Sequence, residues 1–155
     1  MNVETVTEAT EFNPVSLLPS WDGLFANLEL ILRIAVLIGP LCLLGLGLWY
    51  LLAPAKEANH LVGFRCWWGM SSVEAWQFTQ RVAGLCWTAL GLVLTIVMAL
   101  ICNSYRGMAP EVMVISALKA LGWELGLVIG SILVINAVVI ALFNQKGCRR
   151  TRVRR

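Results

Sequence analysis

The chain has 155 residues, 59% of them hydrophobic and only 14% charged, with a formal net charge of +3. A soluble domain of this size cannot bury that much apolar surface, so lipid must cover part of it. Little chain remains for a separate soluble domain.

Residues 1–20 are polar, carry Glu4, Glu8, Glu11, Pro14 and Pro19, and are expected to be mobile. They lack the basic n-region and the A-x-A-like site of a signal peptide, so none is expected. From Trp21 a helical face appears, with Trp21, Leu24, Phe25 and Leu28 spaced i, i+3, i+4, i+7. Glu29 and Arg33 form an i, i+4 pair at the entrance of the first uncharged stretch, Ile34–Ala53. Arg33 is expected to snorkel toward headgroups. Pro40 removes one backbone donor, which a membrane helix tolerates, and Gly39, Gly45 and Gly47 reduce the bulk beside it. Trp49 and Tyr50 close the stretch where an interfacial aromatic belt is expected. Pro54 then ends the helix.

A polar connector, Ala55–Arg81, follows. Ser71 and Glu74 have the S-x-x-E spacing of a capping box, which predicts a helix starting near Ser72 and entering the membrane near Arg81. The second uncharged stretch is Val82–Cys102. Pro110 and Glu111 suit the start of a third helix. A single helix from Pro110 to Phe143 would be about 50 Å long, so Pro110–Ala120 is expected to form an interfacial segment before the third helix or to project beyond the interface, with a break near Gly122. The third uncharged stretch is Leu125–Phe143. Each stretch suffices to cross a hydrocarbon core of about 30 Å. Gly122, Gly126 and Gly130 place small residues on one helix face, consistent with self-association or with packing inside the bundle. Asn136, deep in the third stretch, is expected to make an interhelical hydrogen bond.

The expected fold is therefore an all-α membrane protein with three transmembrane helices. Residues 1–20 form an acidic N-terminal segment, 21–145 the membrane domain (spans about 34–53, 82–102 and 125–143), and 146–155 a basic tail. The tail carries six positive charges and the connector adds Lys56, Arg65 and Arg81, against Arg33, Arg106 and Lys119 on the other side. The positive-inside rule puts the N-terminus out, and the connector and C-terminus in. A basic tail beside a span reads as a topology anchor that attracts anionic lipid, with no direct nucleic-acid partner expected.

The chemistry-bearing residues do not assemble into a catalytic pattern. His60 is the only histidine, and Glu57, Glu74 and Cys66 lack zinc-ligand spacing. No phosphate-binding glycine loop or nucleophile elbow occurs. The five cysteines are odd in number and form no CxxC, so they are expected to be free thiols. Glu124 and Arg33 only flank the spans and could pair to fix helix packing, which disfavours a small transporter. The chain is thus expected to be no enzyme and to hold no cofactor and no metal.

The connector reads Asn59-His-Leu-Val-Gly-Phe-Arg-Cys-Trp-Trp-Gly-Met-Ser-Ser-Val-Glu-Ala-Trp-Gln-Phe-Thr-Gln-Arg-Val-Ala-Gly84. It resembles the signature of the SdpI family, bacterial membrane proteins named for immunity to a secreted toxin. Asn59, Gly63, Phe64, Arg65, Met70, Glu74, Trp76, Phe78, Arg81 and Gly84 fall at matching positions. Cys66 replaces the usual Thr, Gly69 the Ser, Ser72 the Asn and Gln80 the second Asn. The resemblance implies a multi-pass protein of the bacterial cytoplasmic membrane that protects against an antimicrobial peptide. It also implies possible signalling to a cytosolic transcriptional repressor. The recognition residues it points to are Asn59, Gly63, Phe64, Arg65, Glu74, Trp76 and Gln80. The other classes left open are an accessory subunit of a larger membrane complex, supported by the glycine face, and, less favoured, a small transporter; a homo-oligomer is a further possible partner arrangement.

Overall fold

The computed structural model describes residues 21–56, 58 and 63–150, with side chains from Asn27 onward. The expectations for residues 1–20, for Asn59 and His60 and for the last five residues lie outside them. Three helices carry the fold: α1 (Trp21–Leu52), α2 (Val73–Asn103) and α3 (Pro110–Leu142). Each is long and apolar enough to cross a membrane. Only 22%, 22% and 17% of their most apolar windows are buried inside the bundle, so surfaces such as Leu30, Ile34, Leu92, Val93, Leu133 and Val134 face lipid or another protein.

The three helices run up, down and up: the long connector 53–72 joins α1 to α2, and the short stretch 104–109 joins α2 to α3. α1 and α2 form the close pair, and α3 packs on both less extensively. Glycines set the close approach. A Cβ on Gly91 would lie 2.6 Å from the Leu44 backbone nitrogen, and one on Gly84 would lie 2.9 Å from the Leu51 side chain. A Cβ on Gly47 would strike the backbone nitrogen of Thr88 and lie 2.8 Å from the Trp87 carbonyl carbon. With lipid no less apolar than leucine, such backbone proximity is what gives a membrane helix pair its dispersion energy. The expected packing glycines behave differently. Gly122, Gly126 and Gly130 have nothing within 4 Å of a built Cβ, so that face is turned away from the other two helices. Packing within the bundle is thereby removed from the two readings of this motif.

Two apolar clusters occupy opposite ends of the bundle. One joins Val36, Leu43, Leu94, Met98, Cys102, Tyr105, Met113, Ala117 and Ala120. The other joins Tyr50, Phe64, Cys66, Ala75, Ala83, Ile135, Val139 and Phe143 at the connector end. Between them Trp87 Nε1 donates to Ser131 Oγ at 3.1 Å, linking α2 to α3.

Four local expectations need correction. α3 is continuous from Pro110, with no break at Gly122. Met113, Ala117 and Ala120 hold its first turns against the neighbouring helices, so the excess length is simply helix extending past a ~30 Å core. The cap of α2 is Ser72, whose Oγ accepts from Ala75 N, while Ser71 Oγ donates to the Trp68 carbonyl and closes the preceding turn. Asn136 donates to the Ile132 carbonyl of its own helix at 2.9 Å, not across the bundle. Arg33 pairs with Glu29 at 2.6 Å and not with Glu124. Glu124 is instead buried against Gly39, whose missing Cβ makes the room, and its Oε2 has no partner among the described residues.

Beyond α3 the chain turns back on itself. Phe143 and Arg149 form an antiparallel bridge, and Asn144 Oδ1 accepts from Lys146 N and Cys148 N. Gly147, at φ +71°, lies against Ser71 and Ser72, and its carbonyl accepts from Ser72 Oγ at 2.8 Å. The α3 exit is thereby clasped to the α2 start.

Candidate functional site: a connector clamped onto the second helix

The first three turns of α2 have one wholly buried face. Ala75, Trp76, Thr79, Gln80, Ala83 and Gly84 repeat at i, i+4, i+8 and form the floor on which the connector lies. Two of these side chains grip it. Trp76 Nε1 donates to the Ala55 carbonyl at 2.8 Å, just after α1 ends. Gln80 takes both backbone groups of Phe64: its Oε1 accepts from Phe64 N and its Nε2 donates to the Phe64 carbonyl, each at 2.9 Å. Only one orientation of the amide satisfies both bonds. Gln80 thus replaces a neighbouring strand for a single extended residue, and it is itself fully buried. The two anchors bracket residues 56–62 between Ala55 and Gly63.

Gly63 is needed at this point for two separate reasons. Its φ of +120° suits glycine. A Cβ there would also lie 2.7 Å from the Trp76 ring. After Gly63 the side chains alternate as an extended chain requires. Phe64 points inward, 5.4 Å from Trp87 in an edge-on arrangement, and Trp87 in turn lies 5.7 Å from Tyr50. Arg65 points out and is exposed; Cys66 points in and is buried. Among the described residues the sole ion pair is Arg33 with Glu29, so Glu74 does not neutralise Arg65.

Cys66 organises the turn that follows. Its Sγ accepts from Gly69 N at 3.3 Å and its carbonyl from Met70 N at 3.1 Å. Gly69 fits because a Cβ would lie 2.6 Å from Thr79 Oγ1 and 2.7 Å from Cys66 Sγ. Sulfur is here the side-chain acceptor that closes the turn. Burial pushes the Cys66 thiol above its ordinary 9.0, with the Gly69 N–H and Thr79 hydroxyl partly opposing. The thiol is therefore a packed group, unlike the exposed Cys148. Trp67, 82% exposed, projects from the same turn, where an indole suits the headgroup zone.

Of the residues singled out from the sequence, Gly63, Phe64, Arg65, Trp76 and Gln80 are brought together. Glu74 sits exposed in the first turn of α2, favourable at the positive end of the helix. Asn59 lies outside the described residues. Gly122, Gly126, Gly130 and Asn136 are elsewhere, along α3. Sequence reading missed Thr79 as a wall of the Cys66 turn and the Ser72–Gly147 clasp. Thr79 could have been found from its place on the same helical stripe as Ala75 and Ala83. No local pattern marks the clasp, which joins residues 75 positions apart. Among the described residues no group of three His, Cys, Asp or Glu could hold a metal ion.

No curated protein and no solved structure matches the chain. The model of the SdpI/YfhL protein family matches residues 56–143, which is more than half of the chain and contains Gly63, Phe64, Arg65, Trp76 and Gln80 of the clamp. With three membrane-crossing helices and that match, the chain is a multi-pass membrane protein belonging to the SdpI/YfhL family.

Proposed function

We propose that this protein gives immunity to a secreted antimicrobial peptide, with the connector as its recognition surface. The observation that carries the reading is Arg65. It is an exposed guanidinium without an ion-pair partner among the described residues, held outward by a loop that Gln80 and Trp76 fix from beneath. Five donors in a rigid fork suit a peptide carboxylate or a lipid phosphate. The bundle binds or excludes an apolar peptide within the bilayer, and the connector stabilises the occupied state or reports it to a cytosolic repressor. The role is non-catalytic. The protein sits in the bacterial cytoplasmic membrane with its N-terminus outside, and with connector and tail inside.

Deleting the protein from its host and challenging cells with the secreted peptides encoded beside it tests this function. Increased sensitivity to one peptide supports immunity; unchanged sensitivity to all of them rejects it. Impermeant thiol reagents test the orientation. Cys148, which is exposed, should label only from the cytoplasmic side, and labelling of intact cells from outside would reverse the topology.

A second reading, an accessory subunit of a larger membrane complex, is favoured by the open Gly122, Gly126 and Gly130 face. Purification in mild detergent distinguishes it, since a purely monomeric and partner-free protein counts against that role.

A further inference from the structure

At the same end of the bundle, beside the clamp, lies a cavity of about 150 Å³ lined by Pro54, Ala55, Lys56, Gln77 and Arg81. Its position follows from the fold. Pro54 turns the chain out of α1. Trp76 and Gln77 then hold that turn against α2 through the Ala55 and Lys56 carbonyls, at 2.8 and 3.4 Å. Lys56, held through its backbone, thereby lines the same cavity as Arg81, which stands one turn beyond Gln77 on α2. Both cations are exposed, and neither forms an ion pair among the described residues. Glu74, one turn before Gln77, is exposed and joins neither of them. Two like charges facing one small cavity repel unless an anion lies between them.

The surroundings say which anion. Pro54 and Ala55 give the cavity an apolar wall. On its membrane side the exposed surface is hydrocarbon: Leu52 at the end of α1 is 82% exposed, and Leu85, one turn beyond Arg81 on α2, is 62% exposed. A cavity lined by two cations that opens directly onto apolar helix surface sits at headgroup depth. We propose that this cavity is a binding subsite for the phosphate of an anionic phospholipid, with Lys56 and Arg81 on the phosphate oxygens, the Gln77 amide beside them, and the acyl chains along Leu52 and Leu85. A headgroup with no cation of its own is preferred, because a choline would bring a positive charge toward two others. The proposal concerns lipid binding alone and stands whether or not the protein confers immunity.

Native mass spectrometry of the full chain in mild detergent tests it. The probes are phosphatidylglycerol, phosphatidylcholine of matched chains, and inorganic phosphate. Phosphatidylglycerol should bind more tightly than phosphatidylcholine. Lys56→Gln and Arg81→Gln should each weaken that binding about fivefold, as expected for one basic side chain near a membrane surface, and the double variant more than tenfold. Arg81→Lys should retain most of it. The exchange Arg106→Gln with Lys119→Gln, at the other end of the bundle, should have no effect. The proposal is overturned if the double variant binds phosphatidylglycerol as the wild type does, or if the two lipids bind equally. Equal weakening by the Arg106 and Lys119 exchange overturns it too, since that result means a diffuse charge effect. Competition by inorganic phosphate at lipid-matched concentration would make this a site for free phosphate and overturn the lipid assignment.

Discussion

Replacing Gln80 with leucine keeps the side-chain bulk but removes both bonds to Phe64. The Phe64 N–H and carbonyl each lose the partner they have in the folded connector. Phe64 is only 7% exposed and Gln80 is fully buried, so water does not simply take over. A buried polar group left unsatisfied costs about 1–3 kcal/mol. Two such groups give roughly 2–6 kcal/mol, and a loop that can shift to meet water should sit near the lower end. About 2 kcal/mol corresponds to a roughly 30-fold larger open population of the connector. Cys66 reports that opening directly, because it is 8% exposed and lies two residues beyond the clamped position. In detergent, Cys66 of Gln80→Leu should react with a water-soluble maleimide about 30-fold faster than in wild type. Peptide-resolved mass spectrometry reads the rate at each thiol. Exposed Cys148 should react as before, and Cys102, buried in the opposite cluster, should stay protected. A wild-type labelling rate at Cys66 would refute the clamp. Simultaneous exposure of Cys102 would mean that the substitution unfolded the bundle as a whole.

Gly63→Ala must adopt φ +120° and press on the Trp76 ring. The backbone alone costs about 1–3 kcal/mol, so thermal unfolding in detergent should shift clearly downward, and an unchanged midpoint would contradict the geometry. Ser72→Ala removes the α2 cap, worth about 0.5–2 kcal/mol, together with the bond to Gly147. Hydrogen exchange should therefore accelerate both at Ala75 and across residues 144–150; acceleration at Ala75 alone would dismiss the clasp. Gly91→Leu should separate α1 from α2, because even a Cβ there meets Leu44 backbone. Gly126→Leu, with open space around it, should leave monomer stability unchanged, as measured by unfolding of both variants in the same detergent. Burial raises the Cys66 thiol, so its proton is held more tightly in the folded connector than in the unfolded chain. The stabilisation is complete below the ordinary value of 9.0 and is lost as pH rises through the higher folded value. Thermal unfolding in detergent should therefore shift downward in strongly alkaline buffer more for the wild type than for Cys66→Ser.

The three helices were legible because uncharged stretches of bilayer length have few other uses, and Pro54, Pro110 and the cap region punctuate them. The ion pair of Glu29 with Arg33 was legible because i, i+4 spacing is local. Legibility ended where partners are distant in the chain. The Gln80 clamp joins positions 16 apart and the Ser72 clasp positions 75 apart, and periodicity along one segment does not report them. The two adjacent serines show how small the local margin is: Ser71 satisfied the capping spacing, yet the turn from Cys66 consumed its hydroxyl and left the cap to Ser72. The glycine motif on α3 left open whether it packs within the bundle or against another copy, for a different reason. Small residues tell only that a face is smooth, and Gly39, Gly47, Gly84 and Gly91, with no comparable run, are the ones that meet another helix. Asn136 was read as a bond between helices because a lone amide in lipid needs a partner. The nearest carbonyl, one turn back on its own helix, supplied it.

The central claim is that the clamped connector presents Arg65 for recognition. The most direct test is a peptide-challenge assay on host cells whose only copy carries Arg65→Ala. Membrane insertion and shielding of Cys66 are checked in the same cells. Protection should be lost while the protein remains inserted and Cys66 remains slow to label. Protection at the wild-type level by Arg65→Ala would contradict it.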